Sequence, residues 1–464
     1  MDGTTPKYRP DRHPSESYDD ILNRDTRRVP EFLRQGPTPD LGADPVPASN
    51  YYSAEIFAKE VEHVWPKVWQ MACREEEIPN VGDYQIYDIV GKSFIVARVA
   101  TGKIKAFYNS CLHRGRKLAT LSGCKNEFRC PFHGISWNVD GSFKENPIAW
   151  DFPQWQGRDM SLPEAKVDTW GGFVFINMDL SAAPLASVLG PLVEHFAGYD
   201  YADRYKAVHV VKAVRCNWKV LAEAFMESHH TITTHPQILP FLADANSQYD
   251  VLSDYVSRQF SAGGVPSPFV AERGYSAAEI IRAMRGSGDG TRRRDLPEEE
   301  IEVPDGVTAR AHAAELARQG LAAEDGWDYA DASDAEMVDA LLYNVWPHMS
   351  FWAGYSPNLV YRWRPNGLDP ESAIMDVIIL KRVPKVGPRP APVPAHELGI
   401  DEPWTDAPEL GALVGIFEQD MGNLPFVQEG LRASGTGVVH FGRYSELRIH
   451  KLHRMVDQYI AATD

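Results

Sequence analysis

The sequence predicts an α+β protein in two unequal parts, a small all-β domain followed by a larger domain that mixes helices with strands. Three observations carry this. Between about residues 80 and 180, short runs such as YQIYDIV, SFIVARV and GFVFINM alternate with Gly, Asn and Asp, the texture of a small antiparallel β domain. After Leu185 helical periodicities alternate with two longer strands. A chain of 464 residues suits two to three domains and buries enough surface to fold without disulfides.

The elements follow in order. Residues 1–50 are proline-bearing and aperiodic, so they are expected to form an arm laid over the surface. Residues 51–180 are the first domain with its leading helix, where Ile56, Phe57, Val61, Val64 and Trp65 share one face over about 52–69. Residues 181–464 are the second domain. Helices are expected at 219–232, around 276–285 and at 307–322, and strands at 358–364 and 371–383. In the first of these strands Leu359, Tyr361 and Trp363 alternate with Val360, Arg362 and Arg364, an alternation that points the two arginines to solvent, with a substrate carboxylate as their alternative partner. Residues 286–300 read as a surface excursion. Residues 384–404, with six prolines, read as a loop, and 443–460 as a closing helix with Leu447, Leu452, Met455, Val456 and Tyr459 on one side.

Charge and cysteine content exclude several classes. With 47 basic against 64 acidic side chains the net charge is −17, which argues against nucleic acid or an anionic membrane as the main partner. No window approaches 18 apolar residues and the amino-terminal segment has no secretory pattern, so a cytoplasmic location is expected. Five cysteines, an odd number, point to thiol or metal chemistry rather than a disulfide framework.

Four of the candidate ligands sit in the β-rich part. Cys111 and His113 form C-x-H, Cys130 and His133 form C-x-x-H, and sixteen residues separate the pairs. Two thiolates and two imidazoles in paired short loops close either a tetrahedral zinc site or a 2Fe–2S cluster with Cys₂ on one iron and His₂ on the other. Cys124, between the two loops, would be a redundant fifth ligand, and Cys73 and Cys216 lack a partner at ligand spacing, so all three are expected to be buried or partly buried structural thiols.

A second group lies in CNWKVLAEAFMESHHTITTHPQILPF. On the expected helix Glu223, Glu227 and His230 share a face, and His235, just before Pro236, can turn back toward His230.

CxHRG followed by CPFHGxxW resembles the Rieske domain over roughly residues 70–175. The extra cysteines usual in respiratory-chain Rieske proteins are replaced here by Arg116 and Phe132, so the resemblance is to the Rieske domains of oxygenases and their ferredoxins. NWKxxxE and E-x-x-H-x₄-H then resemble the mononuclear iron motif of Rieske non-haem iron ring-hydroxylating oxygenase α subunits. This resemblance implies a Rieske domain joined to a helix-grip (START-like) catalytic domain. It puts His230 and His235 on Fe(II), with His229 as an alternative in the tandem pair, and gives Glu227 the link between a neighbouring subunit's Rieske histidine and the iron site. The segment IFEQDMGNLPFVQEGLRASG resembles the family's carboxy-terminal segment, which selects Asp420 as third ligand, with Glu418 as competitor, and Gln428 eight residues on. Asn217 and Trp218 match the family pattern, whereas Ala224 and His229 replace its usual Asn and Tyr.

The resemblance implies a terminal oxygenase. Electrons enter at Cys111, His113, Cys130 and His133, pass Glu227, and reach iron at His230, His235 and Asp420, where O₂ is used to hydroxylate or oxidatively dealkylate a small aromatic substrate. Mono- and dioxygenation stay open. No G-x-G-x-x-G joins a strand to a helix, and Gly91-Lys92-Ser93 lacks the upstream glycine of a phosphate loop, so a separate ferredoxin or flavin reductase is expected as donor. An electron path crossing between subunits implies a ring, most simply a homotrimer, with or without β subunits. Phe225, Phe351 and Trp352 are the leading pocket candidates, with Leu239, Phe241, Leu242 and Trp346 behind them. Two rivals remain at this level, a non-catalytic Rieske electron carrier and a zinc-stabilised interaction module.

Overall fold

The protein is described from a computed structural model over residues 12–287, 301–356 and 358–462. The excursion expected at 286–300 lies, from residue 288 onward, outside the described residues.

The β-rich part forms a seven-stranded antiparallel sheet in the order Gln70–Arg74, Phe173–Asn177, Glu164–Trp170, Lys103–Tyr108, Lys92–Ala100, Asp83–Ile89, Gly123–Cys124, beside a three-stranded sheet of Glu127–Arg129, Ser136–Asn138 and Phe143–Glu145. Gly91, at φ 74°, follows Val90 in the tight turn between paired strands, so Gly91-Lys92-Ser93 is a hairpin and not a phosphate loop. Phe107, Phe128 and Trp137 fill the core beneath Cys111 and Cys130.

The larger part is an eight-stranded sheet in the order Leu242–Val251, Val256–Gly263, Ala340–Val345, Met349–Trp352, Leu359–Asn366, Asp369–Arg382, Arg204–Val214, His396–Leu398. All pairings are antiparallel except the last, in which His396–Leu398, from the expected proline-rich loop, runs parallel to Arg204–Val214. The long helix Leu413–Ala433 and the closing helix Leu447–Ala461 complete this part, and the helices expected near 276–285 and 307–322 span Ala277–Ser287 and Ala309–Asp325.

The two sheets pack face to face. Met71, Phe173 and Phe175 of the first meet Phe351, Val360 and Ile378 of the second. This corrects the reading of Arg362 and Arg364. The alternation is real, but the opposite face of the strand is covered by the other domain. Arg362 is buried, grips Asp376 through Nε at 3.0 Å and Nη2 at 2.6 Å, and donates from Nη1 to the Met71 carbonyl at 2.7 Å. Arg364 lies on the same side, 3.6 Å from Asp376. Asp376 also bonds His209 Nε2 at 3.0 Å, so the buried carboxylate is well met, as a buried ion pair requires.

Ser17 and Asp20 form a capping box that starts a short helix over Tyr18–Leu22, whose Tyr18, Ile21 and Leu22 are buried. Farther along, Val46–Pro47 pairs with Val438–Val439. The leading helix is shorter than expected, Ala54–His63, followed by a 3₁₀ turn at Trp65–Lys67 around Pro66.

The helix expected at 219–232 is interrupted. It runs Trp218–Glu223, capped by Asn217, and resumes as one turn at Thr231–Thr234. Between them side chains bind the chain locally. Glu227 accepts from the His230 amide at 3.0 Å, and the Ser228 hydroxyl bonds Ser247 and Tyr249, both at 2.8 Å. Such competing bonds favour a turn over a helix. Glu223 and Glu227 therefore do not share a face: Glu223 accepts from Tyr51 at 2.9 Å and bonds His453 at 2.8 Å.

Candidate metal centres

The first centre is built by two matching loops. In each, the cysteine carbonyl accepts from a glycine amide four residues on, Gly115 to Cys111 and Gly134 to Cys130, both at 2.9 Å. The cysteine amides in turn donate to Arg116 at 2.9 Å and Ile135 at 2.8 Å. Both glycines are left-handed, at φ 74° and 76°, where a side chain would strain the backbone. That is the local reason for CxHRG and CPFHG.

The loops bring the four sequence-predicted residues together. Cys111 and Cys130 are buried and their thiols face each other, and the His113 and His133 rings lie 4.6 Å apart between centroids. Burial raises the Cys111 thiol, and the adjacent Cys130 adds to the rise. The Nδ1 atoms of both histidines are buried and meet no hydrogen-bond partner. Two facing thiols and two orphaned imidazole nitrogens are the donor set of a Cys₂His₂ cluster. Cys73 and Cys216 are buried as expected, but Cys124 is exposed, because it lies on the edge strand Gly123–Cys124.

The second centre gathers His230, His235 and Asp420, whose candidate ligand atoms lie within 4.8 Å of one another. His235 Nε2 is 2.8 Å and His230 Nε2 3.7 Å from Asp420 Oδ1. Each imidazole is held by its other nitrogen. His230 Nδ1 donates to Glu227 at 2.6 Å, and His235 Nδ1 to the Gln419 side-chain oxygen at 2.8 Å. This leaves both Nε2 atoms turned to the shared space, the arrangement that outer-shell partners impose on metal-binding histidines. Two imidazoles and one carboxylate suit an iron with open positions.

The sequence alternatives separate by geometry. Glu418, two residues from Asp420, points elsewhere and accepts from the Trp404 and Thr405 amides. His229 is half exposed and reaches Glu227 at 2.8 Å but not the triad. Gln428 ties the site's scaffold, its oxygen accepting from the Asn217 amide at 2.8 Å and its nitrogen donating to the Tyr51 carbonyl at 3.1 Å. Burial alone pushes the Glu227 carboxyl up, but the bonds from His229 and His230 outweigh it and hold the acid well below the usual carboxylate range.

An aromatic wall stands beside the triad. Phe225 packs on Tyr361 at 5.1 Å and Trp363 at 5.6 Å between ring centroids, and Tyr361 is 6.1 Å from Phe417, one helical turn before Asp420. Trp352 reaches Tyr361 at 6.3 Å. Burial raises the Tyr361 phenol and the Asp420 charge raises it further. Phe351 does not belong here. One residue from Trp352 on the same strand, it faces the other domain and packs on Phe173 at 5.2 Å and Trp170 at 5.3 Å. Trp346 packs on Tyr459 and Phe241 on the Ile280–Ile281 cluster, away from the wall. Sequence reasoning missed Gln419, Tyr361 and Phe417. Adjacency to Asp420 was the available signal for Gln419, and the strand alternation for Tyr361.

Comparison with known proteins agrees with this geometry. A family model described as the ring hydroxylating alpha subunit catalytic domain matches residues 197–462, and a Rieske 2Fe-2S domain model matches residues 68–156. The carnitine monooxygenase oxygenase subunit of Acinetobacter baumannii is 30% identical over 189 residues, 40% of this chain and 51% of that protein. The chloroplastic choline monooxygenase of Spinacia oleracea is 29% identical over 209 residues, 44% of this chain and 47% of its own. The chain thus spans about half the length of the curated relatives it matches. Among solved structures, the quaternary ammonium Rieske monooxygenase CntA with L-carnitine matches at a TM-score of 0.61 and 20% identity, over 92% of this chain and 99% of that one. Naphthalene 1,2-dioxygenase with indole bound matches at 0.60 and 16%, over 92% and 94%. The two halves of the fold, each with its own set of ligand-type side chains, and the two matched models lead to one conclusion: the chain belongs to the family of ring-hydroxylating oxygenase α subunits, with a Rieske domain ahead of the catalytic domain.

Proposed function

We propose that this chain is the terminal oxygenase of a multicomponent system, receiving single electrons from a separate ferredoxin or flavin reductase and using O₂ to hydroxylate or demethylate a small organic cation bearing a methylated nitrogen. The observation that carries the reading is the His230–His235–Asp420 triad set against the Phe225, Tyr361, Phe417 and Trp352 wall. The family carries a 2Fe–2S cluster in its Rieske domain and a mononuclear iron in its catalytic domain. When bound, the cluster supplies single electrons and the iron supplies an open site for O₂. Cys111, Cys130, His113 and His133 would hold the first, and His230, His235 and Asp420 the second.

The residues' own work follows from their contacts. Glu227 fixes the His230 tautomer and presents a buried, ionised carboxylate between the half-exposed His229 and the triad, the place where a partner's Rieske histidine would meet it. Gln419 does the same positioning for His235. Phe225 and Trp352, the partly buried rings of this group, would offer π faces to a cation, worth about 2 kcal/mol or more once water is excluded. Relatives named for carnitine, choline and glycine betaine support a quaternary ammonium substrate over the aromatic one that the sequence alone suggested.

A homotrimer belongs to the same reading. Phe132 and Trp150 are exposed on the cluster side, and Ile232, Phe426 and Val427 on the triad side, which provides two apolar patches for head-to-tail association. The test is turnover with an added reductase and O₂. Depletion of a methylated ammonium compound with matching release of formaldehyde or a hydroxylated product is expected. Turnover of aromatic compounds alone would return the substrate reading to the earlier expectation.

A further inference from the structure

Behind the segment that carries Glu227, the closing helix and the Val256–Gly263 and Ala340–Val345 strands line a small, partly open cavity, with about 10 Å³ for the centre of a water-sized occupant. Its lining includes Met226, Ser257, Asn344, Trp346 and Arg448. Arg448 is 1% exposed. Its Nη1 donates to Gln259 at 2.7 Å and to the Met226 carbonyl at 3.3 Å, and its Nη2 to the Asn344 side-chain oxygen. Three buried N–H groups of the lining residues find no acceptor: Nε of Arg448, Nδ2 of Asn344 and Nε1 of Trp346.

Its charge has no partner in contact. Among the described residues no carboxylate forms an ion pair with Arg448: Glu227 acts on it only through space, and the one acid on the wall, Asp254, is held by Lys451 at 2.8 Å. A buried guanidinium without a contacting counter-charge is costly, as is each unsatisfied donor. Burial pulls the Arg448 guanidinium down to about 9. A water molecule would bring two hydrogens of its own to a wall already crowded with donors, whereas a small anion accepts from all three and neutralises the arginine. The space fits one such sphere.

We propose that this cavity binds a single small anion of the halide class, chloride in ordinary media, on Arg448, Asn344 and Trp346. The occupant braces the Arg448 bond to Met226 and so the turn that presents Glu227. The site is separate from the triad and does not depend on the substrate reading.

The test uses the full chain moved into gluconate and titrated with chloride, bromide or sulfate at constant ionic strength. Chloride and bromide raise Tm by about 2 °C, the size expected when a ligand binds only the folded state of a large domain, and sulfate, a doubly charged tetrahedron rather than a single sphere, does not. Crystals grown in bromide show an anomalous peak in the cavity. Asn344→Asp places a carboxylate beside Arg448, so this variant loses the halide response and in gluconate is at least as stable as the parent in chloride. Trp346→Phe removes one donor and weakens halide affinity several-fold. A water without anomalous signal in the cavity, or a halide response unchanged in Asn344→Asp, overturns the proposal.

Discussion

His235 Nε2 lies 2.8 Å from Asp420 Oδ1, although the two residues are 185 positions apart in the chain. The contact exists because consecutive side chains of the Leu413–Ala433 helix act on both nitrogens of one ring: Gln419 takes Nδ1 and Asp420 faces Nε2. Gln419→Leu should therefore loosen His235 without touching the three proposed ligands. The expected result is mononuclear iron affinity weaker by roughly 10- to 100-fold, the usual cost of losing such a partner, with the cluster spectrum unchanged. Metal titration of the variant reads this directly.

Glu227 binds His229 and His230 at once and is proposed to stand on the electron path. Glu227→Gln keeps the shape and one acceptor but loses the charge. Both metals should stay loaded while reoxidation of the reduced cluster by O₂ in the presence of substrate slows by about 10-fold or more. Stopped-flow absorbance follows the step, and an unchanged rate would place the path elsewhere.

Phe225 and Phe351 separate the wall from the domain interface. Phe225→Ala should raise KM for an ammonium substrate by about tenfold, from the loss of a cation–π face, with a small change in Tm. Phe351→Ala should instead lower stability by about 3–5 kcal/mol through a cavity between the two sheets, leaving KM near the parent value.

Two histidines predict an acid-side loss of stability. Burial, aided by Arg362 and Arg364, holds His348 down at about 3, and burial with Arg258 holds His195 down at about 4. Both lie below the unfolded value of about 6.5. As pH falls through about 6.5 the unfolded chain takes up protons that the folded chain refuses until pH about 4 or 3, so stability is lost across that window, by up to about 1.4 kcal/mol per pH unit for the fully buried His348. Urea midpoints at pH 7.5 and 5 should converge in His348→Leu relative to the parent.

Much of this was legible in the chain. The meeting of Cys111, His113, Cys130 and His133 was, because both loops are local and their glycines are demanded by left-handed turns at Gly115 and Gly134. The choice of Asp420 over Glu418 rested on resemblance, and the helix phase explains it: residues two apart on a helix point to different sides, and Glu418 turns to the Trp404 amide. What was not legible came from contacts between distant segments. Arg362 and Phe351 read as solvent-facing and pocket-lining because a strand's alternation says which residues share a face and not what covers it. The break after Glu223 escaped because Ser228 finds Tyr249 and Ser247 only in the fold. Cys124 proved exposed for the complementary reason, an edge strand with nothing beyond it.

The central claim is that one chain holds two different iron centres on the residues named, and an iron count tests it most directly. Anaerobically isolated protein should contain about three irons per chain, two in the cluster and one at the triad, by the stoichiometry of these centres. Asp420→Ala and His230→Gln should each fall to about two with the cluster absorption intact, while His229→Gln keeps about three. Two irons in the parent chain, zinc in place of iron, or a third iron that survives Asp420→Ala would contradict the account.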